Sequence, residues 1–304
     1  MNPLINPKIS IIGTGNLGCT LARFFDSKQN SPLSLVSSSM ARLEKIAFET
    51  KSVTFGTTID SIHRESRIIF ITVPDREISV IVRKLAQLLF FDWAGVLVVH
   101  CSGAYSSEIL APLKKLGAQT ASIHPIQTFP SRNEPISRFE NIHWGVEAEE
   151  PALTAATHLV HYLGGISVHI PITAKPIYHV ASVIASNYLV TLMNLAAESL
   201  SSSGLSRDQT YKILSPLVHG TLENLSKQSL DKSLTGPIAR GDIETIEKHI
   251  HELRYQLPHL IPFYCTMAME TVRVAIRKGS LDANTAGKLN RILAKALTDA
   301  YIAE

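Results

Sequence analysis

The sequence predicts a doubly wound α/β domain at the N-terminus and an all-helical domain after it. Short β-branched segments alternate with amphipathic ones through the first half of the chain. A glycine-rich turn directly follows the first of these segments. After Ile172 the strand-like segments stop and only helix-like segments remain. We therefore place a boundary there, which gives domains of residues 1–172 and 173–304.

Eight strands are predicted in the first domain. Several are near-continuous apolar runs, the pattern of a parallel sheet that is buried on both faces. The predicted strands cover residues 8–12, 34–36, 53–55, 67–73, 95–100, 120–124, 143–147 and 167–172. Amphipathic stretches between them predict helices over residues 76–89, 106–116 and 151–163.

Five helices are predicted after the boundary, over residues 174–203, 208–228, 242–257, 259–278 and 283–302. Their ends carry ordinary signals. Gly204 and Gly279 follow two of them as C-terminal glycines, Ser206 with Gln209 forms a capping box, and Asp282 can cap the last helix.

Composition excludes several classes of protein. A length of 304 residues suits about two domains of roughly 150 residues. The net charge is only +3 without a run of three basic residues, so neither nucleic acid nor an anionic membrane is expected as a partner. Three widely spaced cysteines predict no disulfide scaffold and no Cys-based zinc site, and no other metal constellation stands out. A cytoplasmic protein without a signal peptide is expected.

One apolar segment is long enough to cross a bilayer. Residues 176–197 contain no Asp, Glu, Lys or Arg. Polar residues nevertheless occupy about half of the helix circumference. We therefore predict that this segment is the buried helix of a soluble protein. The polar residues are His179, Ser182, Ser186, Asn187, Thr191 and Asn194.

The glycine-rich turn predicts a dinucleotide site. Gly13 permits the tight turn, Gly15 lets the backbone approach a pyrophosphate, and Gly18 lets the helix pack on the strand. The free N–H groups where the helix starts, at Asn16 and Leu17, are expected to bind the phosphates. The alternative is a glycine-rich turn without a ligand. The absence of a Gly-Lys-Ser/Thr ending argues against an ATP-binding loop.

The residues after the second strand favour NADP (as NADPH) over NAD. An NAD enzyme usually has an acidic residue there, whereas this chain has Ser37 and Ser38, followed by Arg42. Hydroxyls and a guanidinium suit a 2′-phosphate. The alternative for Arg42 is an ordinary exposed helix residue.

Three predicted strands end in polar turns. Ligands of doubly wound sheets bind at the carboxyl ends of the strands, so we expect Val73 and Pro74 to contact the cofactor. Ser102 and His124 are expected to contact the substrate. His100 and His124 end apolar strands, where a histidine is costly unless it has a partner. For each histidine a hydrogen-bonded turn residue is the alternative to a catalytic one.

Lys175 and His179 are the predicted catalytic residues. They lie four residues apart on one helix face, and reduction of a carbonyl needs a proton donor near the developing alkoxide. Alternatively, this polar stripe merely lines a contact between domains. Residues 235–242 form a loop marked by glycine and proline, in which Arg240 is expected to bind a substrate carboxylate. Asp242 is expected to cap the next helix.

These motifs resemble a known family. The chain resembles bacterial proteins that join a Rossmann-like NADP-binding domain to a DUF2520 helical domain. The shared signatures are the Gly13 fingerprint, the strand ends Thr-Val-Pro-Asp, His-Cys-Ser-Gly-Ala and Ser-Ile-His-Pro, the pair Tyr178-His179 with Asn187, and Thr-Gly-Pro-Ile-Ala-Arg-Gly-Asp.

The architecture is similar to that of 6-phosphogluconate-dehydrogenase-like enzymes, which include β-hydroxyacid dehydrogenases and ketopantoate reductases. The resemblance implies that Lys175 is the catalytic acid and that Asn187 belongs to the substrate site. His179 stands where those enzymes have an asparagine, which leaves the identity of the proton donor open between Lys175 and a histidine.

We therefore predict an NADP-dependent oxidoreductase that acts on a small carboxylate-bearing carbonyl or alcohol, with a 2-dehydropantoate-like substrate as the best guess. The alternative is a non-catalytic NADP-binding sensor. A methyltransferase using S-adenosylmethionine is disfavoured because the third glycine follows the second by three residues. A homodimer through the helical domain is expected, because residues 177–197 and 260–276 offer more apolar surface than one small domain buries.

Overall fold

The computed structural model describes residues 7–28, 33–50 and 53–302. The first six residues, on which the expectation of no signal peptide partly rests, lie outside this description. The chain divides into two compact units, Met1–Asn187 and Tyr188–Glu304.

The first unit contains an eight-stranded sheet with the order β3-β2-β1-β4-β5-β6-β7-β8. Neighbouring strands from β3 to β6 are parallel, β7 is antiparallel to β6, and β8 is parallel to β7. The strand order reverses at β1 and β4, the usual position of a ligand crevice. The strands are β1 Ile9–Ile12, β2 Leu33–Val36, β3 Val53–Gly56, β4 Ile68–Ile71, β5 Leu97–His100, β6 Gln119–Pro125, β7 His143–Ala148 and β8 Ile166–His169.

Both faces of the central strands β1, β2, β4 and β5 are buried, as the apolar runs predicted, whereas the edge strand β8 is largely exposed. Side chains alternate along a strand, so Phe70 of β4 packs in one hydrophobic core and Ile69 and Ile71 pack in the other. The helices of this unit are α1 Asn16–Lys28, α2 Met40–Glu49, α3 Asp75–Ala86, α4 Ala111–Lys114, α5 Ala152–Tyr162 and α6 Lys175–Ala185.

The second unit is helical. It contains α7 Asn187–Ser201 (except its first residue), α8 Arg207–Lys227, α9 Leu230–Ser233, α10 Ile243–Gln256, α11 Ile261–Lys278 and α12 Ala283–Ile302. Its core includes Ile246, Cys265, Val272 and Leu289. Asp242 caps α10 by accepting a hydrogen bond from the Thr245 N–H, as expected. Helix α11 ends at Gly279, which has a φ of 76°.

Two predicted helices are divided in the structure. Residues 106–116 form a 3₁₀ turn, Ser107–Leu110, followed by the short α4. The predicted helix over residues 174–203 is instead two helices, α6 and α7, which are separated at Ser186 and preceded by the 3₁₀ turn Ile172–Ala174. Ser186 and Asn187 are poor residues for a helix interior, because their side chains compete for backbone hydrogen bonds. The division between the two compact units therefore falls at this interruption, after Asn187. The boundary near residue 172 that was predicted from the sequence instead marks the end of the strands, the last of which ends at His169.

The expectation that residues 176–197 form a buried helix is wrong for the single chain. Ile177 is 67% exposed and Val190 is 71% exposed, and Lys175 alone is buried in α6. Within the described residues, Ile172–Ser201 is the one segment long and apolar enough to cross a membrane. Its length and composition do not by themselves indicate a membrane span, since apolar helices that pack against other protein surfaces meet the same criterion.

Candidate active site

A cavity of about 830 Å³ lies at the carboxyl ends of β1, β2, β3 and β4. Of the residues predicted to bind the cofactor, Gly13, Gly15, Ser37, Ser38, Arg42, Val73 and Pro74 line it. This volume lies in the range of small-molecule and cofactor sites.

The glycine-rich turn is shaped by the neighbouring strand β4. Gly13 has a φ of 109°, and a β-carbon there would lie 2.7 Å from the carbonyl oxygen of Thr72. The Thr72 hydroxyl also donates to the Gly13 carbonyl over 2.8 Å. At Gly15 a β-carbon would meet nothing closer than the Thr72 oxygen at 3.9 Å. The protein itself does not require glycine at position 15, so the space is available to a ligand phosphate.

Three predicted cofactor residues do not line the cavity. The Asn16 side chain donates to the Phe129 carbonyl over 2.6 Å, and Leu17 packs against the hydrophobic core. Gly18 lies against the Gly13 carbonyl. Asn16 and Leu17 can therefore contribute only backbone N–H groups at the start of α1, and Gly18 serves the close packing that was predicted for it.

At the end of β2, Ser37 is buried and its hydroxyl accepts a hydrogen bond from the Thr14 hydroxyl over 2.7 Å. Ser38 and Arg42 are exposed. Five further residues line the cavity and were not predicted from the sequence: Thr57, Thr58 and Asp60, which follow β3, and Arg76 and Lys84 of α3. Thr57, Thr58 and Asp60 lie beside the end of β2 because β3 pairs with β2 in the sheet. A polar turn after a predicted strand is the signal that could have identified these three residues.

Lys175 is fully buried beneath the turn that follows β5. Its ammonium donates to the Ser102 carbonyl over 3.1 Å and to the Ser122 hydroxyl over 2.8 Å. Burial lowers the pKa of Lys175 to about 8, and the nearby Glu147, Cys101 and Asp75 partly oppose that shift. The start of α6 is thus fixed to the strand ends, and a substantial fraction of the amine is charged near neutral pH.

The predicted substrate residue Ser102 is bonded to the protein on all sides. Its hydroxyl donates to Asp75 over 2.9 Å and accepts from the N–H groups of Ala104 and Tyr105. One donor and two acceptor positions exhaust the capacity of a hydroxyl. A substrate contact through this hydroxyl would therefore require one of these bonds to break.

His100 is a hydrogen-bonded turn residue. Its Nδ1 accepts from the Ser102 N–H over 3.2 Å, and its Nε2 lies 3.0 Å from the Ser106 carbonyl, to which it donates. Burial lowers its pKa to about 4. A neutral ring with both nitrogens engaged is unsuited to proton transfer.

A second group of polar side chains, His124, Tyr178 and His179, lies at the end of β6. The Tyr178 hydroxyl lies 2.9 Å from Nδ1 of His124, whose pKa burial lowers to about 3. The His124 and His179 rings stand edge to face, with centroids 5.8 Å apart. Both rings are partly exposed. The sequence analysis used Tyr178 only as a family signature and did not predict its place in the site.

Two further predicted substrate residues lie elsewhere on the chain. Asn187 is exposed at the start of α7, and Arg240 is exposed at the end of the 3₁₀ turn Ile238–Arg240 in the second unit. Their roles stay predictions. Within the part of the chain that is described, no group of three His, Cys, Asp or Glu side chains could hold a metal ion.

Family comparisons agree with this architecture. Residues 4–125 match the Rossmann-like domain, and residues 142–271 match the domain of unknown function DUF2520. The chain thus joins a Rossmann-like domain to a DUF2520 domain, which confirms the resemblance found in the sequence. No curated protein matches the chain.

Solved structures share the fold over most of their length. Protein TM1727 from Thermotoga maritima is 27% identical with a TM-score of 0.70, covering 89% of this chain and 99% of that one. A candidate NADP oxidoreductase from Bacteroides fragilis is 19% identical with a TM-score of 0.71, covering 88% and 98%. A reductive aminase from Aspergillus terreus, in complex with NADPH and ethyl-5-oxohexanoate, is 14% identical with a TM-score of 0.61, covering 97% and 94%.

Proposed function

We propose that this protein is an NADP-dependent oxidoreductase that transfers a hydride between the nicotinamide and a small carbonyl or alcohol. The main support is that a cavity of about 830 Å³, and the buried Lys175 with the nearby rings of His124 and His179, lie at the carboxyl ends of strands of one sheet. Two of the structural neighbours above are described with NADP or NADPH, which favours the same cofactor here.

The cofactor end of the site fits NADP. The Gly13–Gly15 turn and the first N–H groups of α1 would hold the pyrophosphate, and the open space at Gly15 provides the close approach. Arg42, with Ser37 and Ser38 beside it, would hold the 2′-phosphate. When bound, NADPH would supply the hydride for reduction of a carbonyl, and NADP+ would accept it in the reverse direction.

Lys175 is proposed to supply the proton. Hydride addition to a carbonyl carbon leaves negative charge on the oxygen, and a cation close by stabilises that charge mainly in the transition state. A pKa of about 8 suits an amine that must give up and regain a proton near neutrality. Two of the three N–H groups of the ammonium donate to Ser102 and Ser122, so the third is the one proposed to donate to a substrate that reaches this buried group.

A carboxylate-bearing substrate, with a 2-dehydropantoate-like compound as the first to try, stays part of the proposal. It rests on the exposed guanidinium of Arg240 in the loop of residues 235–242. Arg240→Ala is expected to raise KM for such a substrate more than it lowers kcat, because a clamp on a remote carboxylate binds ground state and transition state alike.

A homodimer through the helical domain, in the cytoplasm, is proposed as well. Exposed apolar side chains on α7 and α11, such as Val190 and Met267, are surfaces that a second copy would cover. The three cysteines are free thiols, in keeping with a reducing compartment. Light scattering at micromolar concentration is expected to give the dimer mass, and a monomer would contradict this part of the proposal.

The central experiment combines cofactor binding with a substrate screen. NADPH binding is measured by fluorescence titration, and 2-oxo acids, β-hydroxy acids and cyclic imines are screened by following NADPH absorbance. Tight NADPH binding with turnover of at least one compound is the expected result. NADPH binding without turnover of any compound in the screen would favour the sensor, and absence of NADPH binding would refute the proposal.

A further inference from the structure

Three rings lie in sequence at the end of β6. The Tyr178 hydroxyl bonds to Nδ1 of His124, and the two rings are edge to face at 89°. The His179 ring lies beyond His124, also edge to face at 83°. All three residues belong to the first compact unit.

The hydroxyl of Tyr178 fixes the tautomer of His124. The oxygen of this hydroxyl accepts a backbone hydrogen bond from Gly145. A β-carbon at Gly145 would lie only 2.5 Å from the hydroxyl, so the absence of a side chain there lets Tyr178 approach the backbone. The hydroxyl proton then needs an acceptor, and Nδ1 of His124 is the one in reach. His124 is neutral because burial keeps its pKa far below neutrality, so its own proton resides on Nε2.

Nε2 of His124 and Nδ1 of His179 converge on Gly103. A β-carbon on residue 103 would overlap Nδ1 of His179 and would lie 2.9 Å from Nε2 of His124. Nδ1 of His179 is buried and has no hydrogen-bond partner. A buried ring nitrogen without a partner is costly, and the Nε2–H of His124, which lies near the same point, is a donor that could satisfy it.

We propose that Tyr178, His124 and His179 form a hydrogen-bond chain in which Nδ1 of His179 accepts from the Nε2–H of His124, so that the Nε2–H of His179 is the donor presented to a carbonyl oxygen of the substrate. The two nitrogens are not bonded to each other in the structure, so closing the chain requires the two imidazoles to turn towards each other across Gly103. Nε2 of His179 then points away from Gly103, on the side of the ring opposite to Nδ1. Tyr178 and His124 are positioning residues, and His179 contacts the substrate.

This arrangement selects the substrate class, and in that respect it rests on the proposed function. A carbonyl oxygen has lone pairs that accept from an N–H group. The nitrogen of a protonated imine has no lone pair and is itself a donor or fully substituted. His179 held by this chain with an N–H donor at Nε2 therefore favours carbonyl compounds over protonated imines, although reductive aminases share the fold.

The direct test is ¹⁵N NMR of the protein labelled at histidine, because the nitrogen shifts distinguish protonated from unprotonated ring positions. Near pH 7.5 we expect His124 and His179 to be unprotonated at Nδ1 and protonated at Nε2. Spectra that place the proton of either ring on Nδ1 would overturn the hydrogen-bond chain. This measurement needs neither cofactor nor turnover, so its failure is distinct from failure of the proposed function.

Tyr178→Phe removes the hydroxyl and keeps the ring. We expect both tautomers of His124 to become populated and kcat for a carbonyl substrate to fall about 10- to 100-fold, with a change of less than about twofold in the Kd of NADPH. Tyr105→Phe, on an exposed tyrosine of the neighbouring turn, is the control and should change neither. An unchanged His124 tautomer in Tyr178→Phe would contradict the assignment, even if the activity fell.

The substrate class has its own comparison. Wild-type kcat/KM for the best carbonyl compound is expected to exceed that for the best cyclic imine by at least about tenfold, and Tyr178→Phe should reduce this ratio. A preference for the imine would refute the substrate assignment. Gly145→Ala provides a second route to the same result, because it displaces the Tyr178 hydroxyl without changing a ring.

Discussion

At the carboxyl ends of β1, β2 and β4 the chain presents backbone groups and exposed side chains around an open cavity, which we call the phosphate end. At the ends of β5 and β6 the polar groups are mostly buried and bonded to one another, which we call the proton end. Arg42 is exposed at the first, whereas the Lys175 ammonium is enclosed at the second.

On the proposed function, the two ends differ because one binds a pyrophosphate and the other holds a proton donor. A pyrophosphate brings its own charge, so N–H groups and space for close approach are sufficient. A proton donor needs a shifted pKa, and burial is what shifts it. The phosphate end is therefore made by glycines close together in sequence, whereas the proton end joins Ser102, Ser122 and Lys175 from distant parts of the chain.

The largest effect is expected at the proton end. Lys175→Ala should lower kcat by about two to four orders of magnitude and leave NADPH binding nearly unchanged, because the cation acts mainly in the transition state. Single-turnover kinetics with the substrate found in the screen measure this, with the exposed Lys115→Ala as the control. More than about half of wild-type kcat in Lys175→Ala, when chemistry limits turnover, would show that the proton comes from elsewhere.

At the phosphate end, two glycines should respond differently to alanine. Gly13→Ala should lower the free energy of unfolding by about 2–4 kcal/mol, because its positive φ and the nearby Thr72 oxygen exclude a β-carbon. Gly15→Ala should leave that free energy unchanged or up to about 1 kcal/mol higher and yet weaken NADPH binding at least about tenfold. Urea unfolding and fluorescence titration test this pair, and similar stability losses in both variants would argue against the ligand role of Gly15.

The buried histidines of the proton end should make stability depend on pH. The folded pKa values of about 4 for His100 and about 3 for His124 lie below the unfolded value of about 6.5. The unfolded state therefore binds more protons, and stability falls as the pH falls from about 6.5 towards 4. Each histidine contributes a slope approaching about 1.4 kcal/mol per pH unit.

Urea midpoints at pH 7, 5.5 and 4.5 measure this slope. It should decrease in His100→Asn and in His124→Asn, and it should stay the same in the exposed control His158→Asn. An equal slope in all four proteins would mean that other groups cause the acid sensitivity.

The smallest effect concerns cofactor choice. NADPH should bind at least tenfold more tightly than NADH, about 1.4 kcal/mol, because Arg42 and the adjacent serines suit a 2′-phosphate. Arg42→Ala should remove most of that preference, whereas Arg83→Ala on α3, outside the cavity lining, should preserve it. Equal dissociation constants for the two cofactors in the wild type would refute the assignment to NADP.

How much of this could be predicted differs between the two ends. The sheet, its burial on both faces and the lining role of Gly13, Gly15 and Arg42 follow from patterns a few residues long. The interruption at Ser186 and the exposure of α6 were not predicted. Composition alone cannot predict this exposure, because a helix buried within its own chain and a helix that packs against another molecule have the same apolar composition.

Local spacing in the sequence is enough to predict the α/β-then-helical order of the chain, the glycine-rich turn and Lys175 and His179 as candidate catalytic residues, because spacing controls turns, strand periodicity and helix faces. The enclosure of Lys175, the full bonding of the Ser102 hydroxyl and the contact of Tyr178 with His124 become visible only in the fold. Hydrogen-bond partners and pKa values depend on which strand ends lie side by side, and that adjacency joins residues more than fifty positions apart in the sequence.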